Sequence, residues 1–207
     1  MLLINEFASI PSTTLADVLG RAQVMDSGIR SVWAPPPRVA GPAFTVRCVR
    51  GDNLMLHAAI YRAAPGSIIV VESGDLDFAL AGGNVCAVAQ SRGVAAFVLD
   101  GLIRDVAEVR QAGFPVFARG VIPIPGSKSE LGELQVPVHC GGVMVRPCDI
   151  VTADEDGVVV TPAPRSGDTL ATARARLDKE ALESLEQWEQ SHRTRIEKAL
   201  SDAGFEH

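Results

Sequence analysis

The chain has 207 residues, of which 47% are hydrophobic and 21% charged, with 19 Gly and 13 Pro. That length and apolar content suit one domain whose core needs neither disulfides nor a structural metal, and they exclude a disordered, collagen-like or coiled-coil chain. A formal charge of -6 gives no general attraction to phosphate backbones, so nucleic acid is not an expected partner. The four cysteines, Cys48, Cys86, Cys140 and Cys148, show no zinc-binding spacing and are expected as free thiols in a reducing cytoplasm. Residues 1–11 lack a basic region ahead of a long apolar run, and the apolar tract 94–99 is too short to cross a bilayer. A cytoplasmic chain without a membrane partner is the expectation.

In chain order, residues 11–20 read as a short helix, with Ser12, Thr13 or Thr14 as its cap and Gly20 at its end. Residues 25–41 read as a loop because Pro35, Pro36 and Pro37 cannot continue a helix or donate to a strand ladder. Residues 44–49 alternate as a strand. Gly51-Asp52-Asn53 opens a helix whose first amides the Asp52 carboxylate can accept, and Pro65-Gly66 stops it. A buried strand at 67–71 follows, then a helix over 76–92, a strand at 93–99, a helix at 103–111 and a strand at 114–118. Helices and strands in alternation, with strands too apolar for a sheet with one wet face, predict an α/β fold covered on both sides. Beyond Gly120 come a Pro- and Gly-rich loop and short strands at 136–139, 143–145, 150–152 and 158–161. Residues 168–203 are dense in helix formers, and Leu177, Ala181, Leu185, Trp188, His192, Ile196 and Leu200 lie on one face. Such a face must be covered by the chain's own sheet or by a partner chain. The expected organisation is an α/β domain over residues 1–167 and a C-terminal helix over 168–207, packed on the same domain or on a neighbouring subunit.

The densest polar cluster is Asp100-Gly101-Leu102-Ile103-Arg104-Asp105, between an apolar strand and a helix. In open α/β sheets ligands gather at the carboxyl ends of strands. Arg104 offers a planar cationic fork to a carboxylate, and Asp105 a hard oxygen ligand to a divalent cation. The plainer alternative makes Asp100 or Asp105 a helix cap and Arg104 a surface cation. Ala81-Gly82-Gly83-Asn84 can present free amides to an anion, or can instead be a helix packed closely through its glycines. Asp75 and Asp77 suit a turn or helix start, His57 and His192 suit packing, and a site built from His139 and Cys140 has no spacing to support it. Ser127-Lys128-Ser129 lacks the Gly-Lys-Ser/Thr ending of a phosphate loop.

These stretches resemble the RraA-like family, which includes 4-hydroxy-4-methyl-2-oxoglutarate aldolases and a regulator of ribonuclease E activity. Residues 14–20, 24–26 and 41–46, Gly51-Asp52-Asn53 through Pro65-Gly66, residues 82–93 and 98–105, 115–120 and 149–160 carry the likeness. It spans roughly residues 12–165, and Asp-Gly-x-x-Arg-Asp is its most specific element. The resemblance implies a swivelling β/β/α-type single domain with a C-terminal helical extension, assembled as a homotrimer or a dimer of trimers with sites near subunit boundaries. It implies that Arg104 and Asp105 are catalytic, that Asp105 binds Mg²⁺ or Mn²⁺, and that Arg104 with Gly82, Gly83, Asn84 and Val85 binds a small 2-oxo acid. The implied reaction is retro-aldol cleavage to pyruvate, overlapping with oxaloacetate decarboxylation. A non-catalytic ribonuclease regulator and an enzyme acting on another small carboxylate are the alternatives. Aldolase members usually carry an acidic residue where this chain has Gly83; Asp75 or Asp77, and one of Glu180, Glu183, Glu186 and Glu189 from a neighbouring copy, are the candidates to supply acid to the pocket.

Overall fold

The computed structural model describes residues 2–205; the ends of the predicted domain and extension, Met1 and residues 206–207, lie outside the described residues. Four strands build the centre of the molecule: β2 (Val39–Arg47), β3 (Ile68–Glu72), β5 (Ala96–Ile103) and β6 (Val116–Val121). They run parallel in the order β6-β5-β3-β2, so that Phe44, Ile69, Phe97 and Val116 stand in one row across the sheet. The run Ile68-Ile69-Val70-Val71 is buried throughout. Ile69 and Val71 pack toward the helices, and Ile68 and Val70 toward the opposite layer, which explains why this strand shows no polar alternation.

The helical layer consists of α3 (Leu54–Ile60), α4 (Gly83–Ser91) and α5 (Val106–Ala112), whose Leu56, Cys86 and Val109 are buried. Phe97 meets Phe114 edge-on at 5.0 Å within this core. Each side chain of this size, once buried, contributes about 1.5–3 kcal/mol. Beyond β2 the same sheet continues, with β10 (Ile150–Asp154) pairing antiparallel with β2, and β11 (Gly157–Thr161) with β10. The far edge is β1 (Arg30–Ser31), antiparallel to β6. Just before it, the Met25 amide donates to the Val158 carbonyl at 3.0 Å and Val24 bridges Val159. The sheet therefore curls back on itself into a nearly closed barrel. Inside it, Val151, Ala153 and Val160 pack with Val138 and Val145 from the hairpin of β8 (Val138–Cys140) and β9 (Val143–Val145).

Several elements differ from the sequence expectation. The segment 76–92 is not one helix. Residues Ala79–Ala81 form a short strand, β4, because the Ala79 amide donates to the Ile124 carbonyl (2.8 Å) and the strand pairs with the end of β5. Correspondingly β5 runs on through Asp100 and Gly101 to Ile103, since Leu102 and Ile103 find ladder partners on β4 and β6. Helix α5 begins only at Val106. The predicted loop at 25–41 contains β1 and the start of β2, and residues 133–134 form β7 against β2. An unpredicted helix, α1 (Leu2–Ser9), packs Phe7 into a satellite core with Leu15 of α2 (Ser12–Leu19).

The C-terminal extension is two helices, α6 (Ser166–Leu182) and α7 (Leu185–Asp202), broken at Glu183-Ser184. Leu170 and Ala173 bury the start of α6 against the satellite core, and Arg174 and Arg176 pair with Glu6 and Asp17. Helix α7 buries none of its residues. Among the described residues no helix is long and apolar enough to cross a membrane.

Candidate functional site

Two strand-to-helix junctions lie side by side at the carboxyl end of the parallel sheet. One leads from β4 into α4 through Gly82, the other from β5 into α5 through Arg104 and Asp105. The Arg104 amide donates to the Ala81 carbonyl (3.0 Å), which fixes the second junction against the first. Asp105 adopts the left-handed conformation (φ 58°, ψ 40°), a region that costs a non-glycine residue roughly 1–3 kcal/mol and that it shares with Gln135 and Cys148. In this geometry its carboxylate does not cap its own helix. Instead Oδ2 accepts from the Gly83 amide at 3.0 Å and lies 3.5 Å from Nε of Arg104. Asp105 thus stands at the N-cap position of α5, as the plainer alternative has it, but its side chain caps no amide of that helix. Both side chains remain well over a third exposed, so ligand can reach them.

The glycines provide the space. A Cβ on Gly82 would lie 2.4 Å from Asp105 Oδ2 and 3.1 Å from Arg104 Nε. A Cβ on Gly83 would fall 1.9 Å from Oε2 of Glu108. Asn84 is exposed beside them, whereas Val85 packs against the main core. Cys86, one turn further along α4, is buried, and burial together with the Asp105 charge pushes its thiol up to about 12. It is no nucleophile at neutral pH.

The remaining candidates are placed elsewhere. Asp100 lies within β5, and its carboxylate accepts from Arg119 Nε and from the Gly141 amide (2.8 Å), while Arg119 also grips Asp26 through two nitrogens. Asp100, Arg119 and His139 line a cavity of about 320 Å³ with Glu72, Ser73 and Asp75. Asp75 accepts from the Asp77 amide, as the turn reading expects, and from the Gly51 amide of the loop before α3. Cys140 is fully buried while His139 is exposed, so the two do not form a site. Ser127 and Ser129 bind the buried carboxylate of Asp52, making their loop an anchor for α3. His57 is half-buried, and burial, with Lys128 nearby, holds its imidazole below the usual histidine range. His192 stacks on Trp188 at 4.6 Å. Glu180 and Glu183 line a cavity of about 790 Å³ in the elbow of α6 and α7.

Among the described residues no three His, Cys, Asp or Glu side chains converge into a ligand set. A hydrated Mg²⁺ asks for less: it is commonly held by one or two carboxylates with water and substrate oxygens completing the shell. An exposed carboxylate fixed by a backbone amide, with a second carboxylate over the next glycine, fits that requirement.

Fold and junction together define a family. Residues 12–160 match the family model described as RraA-like, Aldolase/RraA, and the chain belongs to this family. A relative from Halalkalibacterium halodurans, provisionally named a 4-hydroxy-4-methyl-2-oxoglutarate aldolase, is 38% identical over 182 residues, covering 87% of this chain and 86% of its own. Among solved structures, an uncharacterized protein from Pseudomonas syringae superposes with a TM-score of 0.80 at 27% identity, over 92% of this chain and 93% of that one. RraAS2 of Streptomyces coelicolor, an unusual member of the RNase ES inhibitor RraA family, gives 0.75 at 31% identity over 93% and 96%.

One acid at these junctions that the sequence reading did not single out is Glu108, whose carboxylate lies over Gly83. The available signal was an acidic residue in the first turn of the helix that follows Asp105.

Proposed function

We propose that this chain is a divalent-metal-dependent lyase that cleaves a small 2-oxo acid of the 4-hydroxy-4-methyl-2-oxoglutarate kind to pyruvate, with decarboxylation of oxaloacetate as an overlapping activity. The carrying observation is Asp105, held in a strained backbone conformation with its carboxylate off its own helix, bonded to the Gly83 amide and beside Arg104. The family membership and the aldolase name of the relative support the same reading.

Asp105 would hold Mg²⁺ or Mn²⁺. When bound, the cation supplies Lewis acidity to the 2-oxo and carboxylate oxygens of the substrate. The Arg104 fork binds a substrate carboxylate or the 2-oxo oxygen, where negative charge grows as the carbon–carbon bond breaks. Gly82 and Gly83 let the side chains of Arg104, Asp105 and Glu108 close on the start of α4, and the substrate would meet that wall at the exposed Asn84, with Val85 behind it. In the cleavage the 4-hydroxyl loses its proton to a base, the C3–C4 electron pair passes to the 2-oxo acid fragment, and that fragment is protonated to pyruvate. Loss of carbon dioxide from oxaloacetate leaves the same electron pair at the same place, which is why the two activities overlap.

The proposed assembly is a homotrimer or a dimer of trimers, with residues 1–167 as the catalytic domain and the extension from 168 packed on it or on a neighbouring copy. The proposed location is the cytoplasm, in keeping with four unpaired cysteines. The test is pyruvate release with Mg²⁺ or Mn²⁺, coupled to lactate dehydrogenase. Wild-type protein turns over one of the two substrates, and Asp105→Ala and Arg104→Ala each lower the rate by about 10²–10³-fold. Undiminished activity in either variant, or no pyruvate from either substrate, overturns the assignment.

A further inference from the structure

We propose that Glu108 is a positioning residue of this site: its carboxylate occupies the place that a side chain of residue 83 would fill and serves, beside Asp105, as a second acidic group for the divalent cation. The inference rests on the reading that Asp105 holds that cation.

The two junctions interlock residue by residue. Over Gly82 stand Asp105 Oδ2 and the Arg104 side chain, and over Gly83 stands the Glu108 carboxylate, with its Cβ and Cδ each 3.0 Å from an ideal Cβ at that glycine. Glu108 projects from the first turn of α5, which begins one residue after Asp105, and the two carboxylates stand over the adjacent glycines Gly83 and Gly82. Among the described residues its carboxylate has no hydrogen-bond or ion-pair partner, although Arg104 and Arg110 stand close in sequence. A solvated surface glutamate has no need of the bare backbone at Gly83. A carboxylate lying on that backbone is placed beside the one acid that the Gly83 amide fixes, and it can accept hydrogen bonds from water in a cation's shell. Gly83 is thus not simply an acid lost from the pocket loop. Its missing side chain is the condition for an acid to enter from α5.

Titration of Mn²⁺ followed by electron paramagnetic resonance, with melting temperature measured in parallel, tests this without reference to turnover. Asp105→Asn should abolish binding. Glu108→Gln should weaken it by about 10–100-fold, the usual cost of losing a group that orients the ligands of a metal, while the melting temperature stays unchanged. The double variant Gly83→Asp/Glu108→Ala moves the carboxylate across to α4, into the space of the removed Glu108 carboxylate, with the Cβ of residue 108 giving way by a few tenths of an ångström, and should recover most of the affinity. If Glu108→Gln binds Mn²⁺ as wild type does while Asp105→Asn does not, the role of Glu108 is refuted and Asp105 stands. A loss of affinity that follows a fall in melting temperature refutes it too, as a structural effect. If the wild-type chain fails to bind Mn²⁺, or Asp105→Asn binds it equally well, the Asp105 reading falls and takes Glu108 with it.

Discussion

Asp52 is 3% exposed and works harder than any surface ion pair in the chain. One of its oxygens accepts from the Leu54 amide (2.7 Å), and the other from the Ser129 amide (2.7 Å), the Ser127 hydroxyl (2.8 Å) and the Glu130 amide (3.2 Å). Burial by itself would raise its pKa; these donors outweigh burial and hold the carboxyl at about 2. Because the folded value lies below that of the unfolded chain, near about 4, the stabilisation is complete above the unfolded value and is lost as pH falls through about 2. Asp52→Ala, which strands those donors, should therefore cost about 1–3 kcal/mol in urea denaturation near neutral pH, with a smaller difference from wild type at about pH 2. Equal midpoints near neutrality would refute the anchoring role. The same scale shows what of the site could be read beforehand. Arg104 and Asp105 announce themselves as charges at the end of an apolar strand, and Gly82-Gly83 as bare backbone. The left-handed turn at Asp105 and the meeting of Glu108 with Gly83 are contacts between two junctions, and they exist only once β4 has paired with β5.

At the level of elements, the stop between α6 and α7 follows from local chemistry. Ser184 Oγ accepts from the Gln187 amide (3.2 Å), and the Gln187 side chain accepts from the Ser184 amide (2.9 Å), a reciprocal cap that starts a new helix. Since α7 buries no residue, this cap is the main local device holding its first turn. Ser184→Ala should lower local stability by about 1 kcal/mol and speed amide exchange in the first turn of α7, leaving the barrel strands protected. Unchanged exchange there would show that something other than the cap holds the turn. The capping pattern was legible in the sequence but was masked by continuous helix formers on both sides. Strand β3 was legible because an apolar run of that kind fits few other places. Strand β4 was not, because Ala79-Leu80-Ala81 has no strand preference of its own and becomes extended only through partners on β5 and at Ile124. Helix α1 was hidden likewise, its pattern serving a satellite core that exists only after α2 and α6 have packed.

Across the whole molecule, closure and openness are divided between two parts. The barrel satisfies its backbone through nearly closed pairing and covers its sheet on both faces, whereas the extension leaves Leu182, Leu185, Trp188 and Ile196 from 45% to 86% exposed. The sequence required a cover for the stripe from Leu177 to Leu200. Within one protomer only its beginning receives one, at the satellite core. A helix of this length with no buried residue gains little from propensity alone, so its remaining stabilisation is expected from a neighbouring copy. For the homotrimer or dimer of trimers proposed from the family resemblance, light scattering at micromolar protein should give three or six times the single-chain mass. Deletion of residues 184–207 should lower the mass of the assembly and leave the barrel folded by circular dichroism. A monomeric mass for the full chain would defeat the assembly altogether. An undiminished trimer or hexamer after the deletion would place the contact on the α/β domain and deny α7 its role in it.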